Sequence, residues 1–120
     1  MAPVRFRVNE KTTARYTAQI VDELNVGIPA ASLSTLTLTL YGVVSGTILN
    51  SRNAQNVLNA NGVTVDSSGN LVWTMAPADN AILGTQALET HAALFVWTWA
   101  GTKEGRHEVI ILVDNLQKVT

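Results

Sequence analysis

The sequence predicts an all-β protein built as an antiparallel β-sandwich, on three observations. Apolar residues alternate with polar ones in several short runs, with the period that is typical of half-buried strands. Turn-forming residues separate these runs at intervals of about 8–12 residues, which is typical of a sandwich. The segment from His91 to Asp114 combines two β-rich runs with a glycine-containing connector, which is the pattern of paired antiparallel strands.

The first predicted elements are short strands separated by a polar loop. Apolar residues alternate with two arginines in VRFRV at 4–8, so we expect residues 1–10 to form an edge strand or an N-terminal arm with a basic outer face. The run 14–20 predicts a half-buried strand, and TLTLTLY at 35–41 predicts the most regular strand of the chain. Between them, the turn formers of DELNVGIP at 22–29 predict a loop.

The middle of the chain gives weaker signals. Three short strands are predicted, at 47–49, 63–65 and 71–75. The Asn-rich stretch 50–59 predicts either a single helical turn or an irregular crossover, and DSSGN at 66–70 predicts a tight turn. Residues 77–83 predict one short helix, because Pro77 suits the first helical position and Gly84 suits the residue after the helix end.

The late hairpin is predicted to have strands at 91–100 and 108–114, joined by the polar connector 101–107. Odd-numbered residues of the first run share one face and even-numbered residues share the other. Both faces are largely apolar, so we expect this strand to be central in its sheet and covered on both sides.

Tryptophans mark the expected core. We expect Trp73 and one of Trp97 and Trp99 to fill the space between two sheets, with Trp99 the more exposed of the pair. A total of about seven to eight strands with one short helical turn is typical of an immunoglobulin-like antiparallel β-sandwich. We expect it to fill residues 1–120 as a single domain, which is long enough to fold without disulfides.

The sequence predicts no catalytic, cofactor or metal site. His91 and His107 lie at opposite ends of the predicted hairpin strands, and no third zinc ligand is evident beside them. The cluster at 66–70 lacks the donor spacing of a calcium loop and is interpreted as an Asx-type turn. No serine lies in a nucleophile motif and no glycine-rich phosphate loop occurs. We therefore expect the protein not to be an enzyme.

Composition favours protein partners over nucleic acid or membrane. The net charge is −1 and only 14% of residues are charged, so the surface is either partly covered by other protein or a Thr-, Ser- and Asn-rich β-surface that needs no cover. Scattered basic residues argue against nucleic-acid binding, and no apolar run reaches the roughly 18 residues that a membrane span needs. The absence of cysteine and of a signal-peptide hydrophobic region favours synthesis in the cytosol.

A series of motifs follows one order along residues 14–116. The motifs are YTA at 16–18, DE at 22–23, GIP at 27–29, LTLTLY at 36–41, the stretch 52–83 and the hairpin ALFVWTWAGTKEGRHEVIILVDNL at 93–116. In this order they resemble small accessory structural proteins of tailed bacteriophages. The resemblance implies a virion component with an immunoglobulin-like fold, on the capsid, at the neck, or in the tail or baseplate, and it carries over no site residue.

From this resemblance and the low charge we expect a non-enzymatic virion protein that assembles on or between other phage structural proteins. It would be made in the host bacterial cytoplasm and form a homo-oligomer or a symmetric assembly in the virion. The alternative is a carbohydrate- or receptor-binding module of a phage tail, with an exposed aromatic platform at Trp99. Candidate partner contacts, chosen from charge and expected exposure, are Arg5, Arg7, Arg52 and Trp99.

Overall fold

The fold is all-β, as the sequence predicts. The computed structural model describes residues 4–116 of the chain. Its strands are β1 (Val4–Asn9), β2 (Ala14–Gln19), β3 (Leu33–Gly42), β4 (Gln55–Asn56), β5 (Val63–Val65), β6 (Asn70–Met75), β7 (Leu88–Trp99) and β8 (Lys103–Asp114). Two short 3₁₀ helices, Ala30–Ser32 and Pro77–Asn80, lie between strands. Neither of these described helices is long and apolar enough to cross a membrane.

The strands form two sheets with an immunoglobulin-like order. The larger sheet has the order β1-β8-β7-β3-β4, and the smaller has the order β2-β6-β5. These correspond to the G-F-C-C′ and B-E-D strands of an immunoglobulin-like sandwich, with β1 added beside β8. The predicted fold class is thus confirmed, and so is the position of β1 at a sheet edge.

One strand pairing departs from the predicted antiparallel arrangement. β1 lies parallel to β8, from Val4 opposite Val109 to Asn9 opposite Asp114. All other paired strands within the described residues are antiparallel. Parallel neighbours need a long connection, and here nearly the whole domain separates β1 from β8. Alternation within the first ten residues reports burial but not strand direction.

The core lies between the two sheets. Trp73 of β6 meets Phe95 of β7 edge-to-face, with ring centroids 5.6 Å apart. Trp73 and Trp97 are both buried, which confirms the prediction that Trp73 and one tryptophan of the late hairpin lie in the core. Trp99 is half-buried against the same cluster. One continuous core therefore joins both sheets.

β7 is central, as predicted, but only one of its faces is fully covered. From His91 to Trp97 the odd-numbered side chains are buried in the core. On the other face Leu94 and Val96 are only half-buried, so the prediction of cover on both sides is wrong for this part of the strand. Their cross-strand neighbours are Glu108 and Arg106, whose long side chains flank these half-buried residues.

The late hairpin has a shorter connector than predicted. β8 begins at Lys103, so most of the polar segment that the sequence predicts as connector continues the ladder, with Lys103 opposite Trp99. Ala100 and Gly101 both have positive φ angles, 51° and 78°, which is the backbone conformation of a tight hairpin turn. Backbone pairing sets the strand length here, and it does not require apolar side chains.

The middle of the chain is more irregular than predicted. The expected strand at 47–49 is reduced to a single bridge between Ile48 and Tyr41. The stretch 50–59 is an irregular crossover that contains the two-residue strand β4, and positive φ angles at Asn50, Ser51, Ala54 and Asn59 keep it from regular structure.

The predicted helix over 77–83 is wrong in length and type. It is a 3₁₀ turn that ends at Asn80, and Ala81 already has extended backbone angles. Gly84 is therefore not the residue after a helix. The Asp79 side chain accepts the backbone N–H of Ala76, so the carboxylate closes a compact turn where local sequence signals favoured a longer helix.

Candidate functional site

Within residues 5–116, the exposed large hydrophobic side chains lie at the two ends of the sandwich. They are Leu24 and Val26 at one end, and Val43, Val44, Leu83, Leu88 and Leu116 at the other. Lys103 starts β8 beside the first group, and Asp114 ends β8 opposite Leu88 of the second group. A twelve-residue strand spans roughly 36 Å, so the two groups lie at opposite ends of a molecule 47 Å long.

The first end carries a projecting loop, residues 22–26, which we call the Leu24 loop. The Asp22 carboxylate accepts the backbone N–H groups of Leu24 and Val26, at 2.8 and 3.1 Å. The Asp22 N–H donates to the carbonyl of Val26, and Asn25 has a positive φ of 60°. These bonds hold an Asx-type turn that leaves Leu24 77% exposed at its tip.

An ion pair ties this loop to the late hairpin. The Lys103 ammonium lies 2.6 Å from the Glu23 carboxylate, and its hydrogen bond lowers the pKa of Glu23. Deeper in the same region, the Trp97 indole N–H donates to the carbonyl of Val21 at 3.2 Å. The Leu24 loop is therefore anchored at its start and at its side.

The opposite end holds an apolar pocket of about 350 Å³, which we call the Leu88 pocket. Its lining residues come from the end of β3 and from the segment that leads into β7: Gly42, Val44, Ser45, Leu83, Gly84, Gln86, Leu88, Glu89 and Thr90. Val44 is 97% exposed at its rim. The pocket opens at the base of the sandwich and is not part of the inter-sheet core.

Glu89 is the charged residue of the Leu88 pocket. Its carboxylate accepts the N–H groups of Leu83 and Gly84 and pairs with Nε2 of His91, a fully buried side chain. Burial by itself raises the pKa of Glu89, but the hydrogen bonds from His91 and these two N–H groups outweigh it and lower the pKa. The carboxylate thus shapes the pocket wall at residues 83–84.

A second, polar pocket contains Arg52, and it overturns the prediction that Arg52 is an exposed partner contact. Arg52 is only 4% exposed. Its Nε and Nη2 atoms donate to the Asp79 carboxylate at 2.6 and 3.1 Å, and its Nη1 donates to Gln55. The guanidinium also lies 5.7 Å from the ring centroid of Trp73. Arg52 therefore fastens the crossover 50–59 to the Pro77–Asn80 turn.

The other predicted contacts lie in two separate places. Arg5 and Arg7 are exposed on β1 as expected, and Arg7 makes a bidentate pair with Asp114, with both N–O distances 2.7 Å. This pairing lowers the pKa of Asp114. Trp99 lies at the other end of the sandwich, opposite Lys103. It is half-buried, so it does not form the exposed aromatic platform that the glycan-binding alternative requires.

The two histidines do not share a site. Nε2 of His107 is hydrogen-bonded to the hydroxyl of Tyr16, and burial lowers the pKa of His107. His91 pairs with Glu89, as described above. Within residues 4–116 no group of three potential ligands is arranged to hold a metal ion. The Asx-type turn at 66–70 is confirmed, because Asp66 accepts the N–H groups of Ser68 and Asn70.

Sequence reasoning predicted a loop at 22–29 but not its exposed apolar tip, and it missed the Leu88 pocket. The available signal for the loop was Leu24 itself, an apolar residue inside a run of turn formers. Val43 and Val44, which follow the strand end at Gly42, were a similar signal. The pocket could not be found this way, because its walls come from segments about forty residues apart in the chain.

Comparison with known proteins leaves the function to be argued from these surfaces. No protein-family model matches the chain, and no curated protein is significantly similar to it. An immunoglobulin-like sandwich serves many unrelated functions, so the fold does not choose among them. The resemblance to phage structural proteins stays a prediction from sequence motifs.

Proposed function

We propose that this protein is a non-enzymatic structural component of a tailed-bacteriophage virion, which assembles on or between other virion proteins. The observation that carries the proposal is the location of the exposed large hydrophobic side chains at the two ends of the sandwich. Contiguous exposed apolar surface is typical of interaction sites. Leu24 and Val44 are the most exposed of these residues, so each end offers a surface for another protein.

The charged groups of both pockets support a structural role. The Glu89 carboxylate is hydrogen-bonded to two backbone N–H groups and to His91. The Arg52 guanidinium and the Asp79 carboxylate are hydrogen-bonded to each other and to neighbouring loop residues. Groups that are committed in this way hold the fold, whereas a catalytic acid or base must reach a substrate. We therefore assign both pockets to structure and binding.

The low proportion of charged residues and the sequence motifs support a place in a virion assembly. With 14% charged residues, the chain suits a protein that is partly covered in an assembly. The motif order at 14–116 is similar to phage accessory proteins, so the proposed place is the capsid, the neck, or the tail or baseplate. The protein would be made in the host cytoplasm and act in the virion through protein partners. Repeated use of one surface in a symmetric particle strengthens modest contacts.

Quantitative mass spectrometry of gradient-purified particles tests this proposal. Isotope-labelled peptides from the chain would give its copy number relative to the major capsid protein. We expect many copies per particle, with a number that matches either capsid symmetry or the ring symmetry of the neck or tail. Absence from purified particles, while the protein is abundant in the lysate, would refute the virion role.

A further inference from the structure

We infer that copies of this protein associate head to tail, with the Leu24 loop of one copy seated in the Leu88 pocket of the next. The inference rests on the proposed structural function and deepens it, because it names the partner as a second copy of this chain. The observation behind the inference is that one chain has an exposed apolar projection at one end and an apolar concavity at the other end.

The geometry makes the contact intermolecular. The Leu24 loop is anchored beside Lys103 at the start of β8, and the Leu88 pocket lies beside Asp114 at its end. One molecule cannot fill its own pocket across roughly 36 Å. A projection and a pocket at different places on one surface make a heterologous contact, which produces a ring or a filament rather than a closed dimer.

The two surfaces match in chemistry. Leu24 is 77% and Val26 57% exposed, so both side chains have apolar area to bury. The walls that would receive them are formed by Val44, Leu83 and Leu88. The Glu89 carboxylate faces its own backbone donors and His91, so an apolar side chain can enter the pocket without leaving a partner group newly unpaired.

The projection is held in its shape before binding. Two N–H groups of the Leu24 loop donate to the Asp22 carboxylate, and the Glu23–Lys103 pair ties the loop to the hairpin. A loop that is already ordered loses little conformational freedom on binding. This is the arrangement expected of a binding element, whereas two apolar residues on an unstructured loop would lose more freedom on docking.

Exposed charges at the two ends are complementary. At the loop end, the pairs Glu23–Lys103 and Glu104–Arg106 balance internally. Asp22 is half-buried there and accepts two backbone N–H groups, which leaves Asp66 as the exposed carboxylate of this end. At the pocket end, Arg7 and Asp114 balance, and Glu10 and Glu89 are turned inward to accept backbone N–H groups. Lys11 is exposed there and makes no ion pair with a described residue. In the head-to-tail contact, the acidic loop end of one copy thus faces the pocket end of the next copy, where Lys11 is an exposed cation. This arrangement of charges favours the head-to-tail orientation.

Sedimentation velocity of the full chain tests the inference with two single variants, Leu24→Asp and Val44→Asp. Wild-type protein is expected to show a weight-average sedimentation coefficient that rises with concentration and passes the dimer value. Each variant should weaken association at least about tenfold, because each places a charge in the proposed contact. Thr64→Asp, on the exposed side of β5, is the matched control and should associate like wild type. Circular dichroism checks that all variants are folded.

A mixture of the two variants gives the decisive result. Leu24→Asp keeps an intact pocket and Val44→Asp keeps an intact loop, so an equimolar mixture should form a 1:1 dimer that grows no further. Three results would overturn the inference: wild type that stays monomeric up to about 1 mM, a mixture that forms no dimer, and association that only Val44→Asp abolishes. The last result would indicate a closed dimer of two pocket ends. None of them depends on finding the protein in particles, so the proposed function can fail or stand separately.

Discussion

Replacing Asp79 by asparagine removes one charge from the buried Arg52–Asp79 pair and leaves the shape of the side chain unchanged. Asp79 has no solvent exposure and Arg52 is nearly as buried. In the native protein each carboxylate oxygen accepts two hydrogen bonds. Oδ1 accepts from Asn50 and from Arg52 Nε, whereas Oδ2 accepts from Arg52 Nη2 and from the Ala76 N–H.

The expected cost follows from this geometry. Whichever of the two oxygens is replaced by an amide NH₂ group, the two donors that were bonded to that oxygen will face another donor. Both of their hydrogen bonds are therefore lost. The Arg52 guanidinium also stays buried without a counter-charge. Bonds to charged groups contribute about 1.5–3 kcal/mol each, and breaking a buried pair from one side costs about 3–5 kcal/mol. We therefore expect Asp79→Asn to lower the free energy of unfolding by about 3–5 kcal/mol.

Urea unfolding followed by tryptophan fluorescence measures this cost, since Trp73 lies beneath the Arg52 guanidinium. With a urea dependence of about 2 kcal/mol per molar, the midpoint should fall by about 1.5–2.5 M. Asp114→Asn is the matched control, because Asp114 makes an equally bidentate but solvent-exposed pair with Arg7. Its effect should be much smaller. Equal midpoints for the two variants would contradict the reasoning.

Three further predictions concern packing and pH. Gly105→Ala should lower stability by about 1–3 kcal/mol, because an added Cβ would lie 2.5 Å from Trp97 Nε1; an unchanged thermal midpoint would argue against this contact. Burial lowers the pKa of His107 in the folded state below the ordinary 6.5, so the unfolded state takes up a proton first and stability should fall as the pH drops through 6.5. His107→Gln should remove the fall in the urea midpoint that this proton uptake causes as the pH drops through 6.5. An identical pH profile of the urea midpoint for wild type and variant would contradict the assignment to His107. Glu89 has a folded pKa below the ordinary 4.5, so its stabilisation is complete above 4.5 and lost as the pH falls through the folded value. Glu89→Gln should flatten this acid limb, and a limb of wild-type steepness would exclude Glu89 as its source.

The strands and the core were largely predictable, because their signal is local. In β3, Leu36, Leu38 and Leu40 alternate with threonines, and all three leucines are fully buried. The alternation of side chains across a strand translates directly into two faces, of which the apolar one must be covered. The turn at Asp66 was predictable for the same reason, since its hydrogen bonds reach only two to four residues along the chain.

The partners of polar residues were not predictable, and Arg52 shows why. Its counter-charge, Asp79, lies 27 positions further along the chain, and any of several acids could have met it. An arginine in a polar, aperiodic stretch therefore suggested a solvent-exposed contact. Trp99 was placed correctly as the more exposed of its pair, but packing against the core leaves it half-buried.

The sequence alone determined the fold class, the alternating core residues and the tight turn at 66–70 of this protein, because each depends on neighbours within a few positions. Only the tertiary structure decided that β1 runs parallel to β8, that Arg52 is buried against Asp79, and that the exposed apolar residues gather at two opposite ends. These features join residues that are distant in sequence. Their positions follow from how the two sheets pack, and no local pattern encodes that packing.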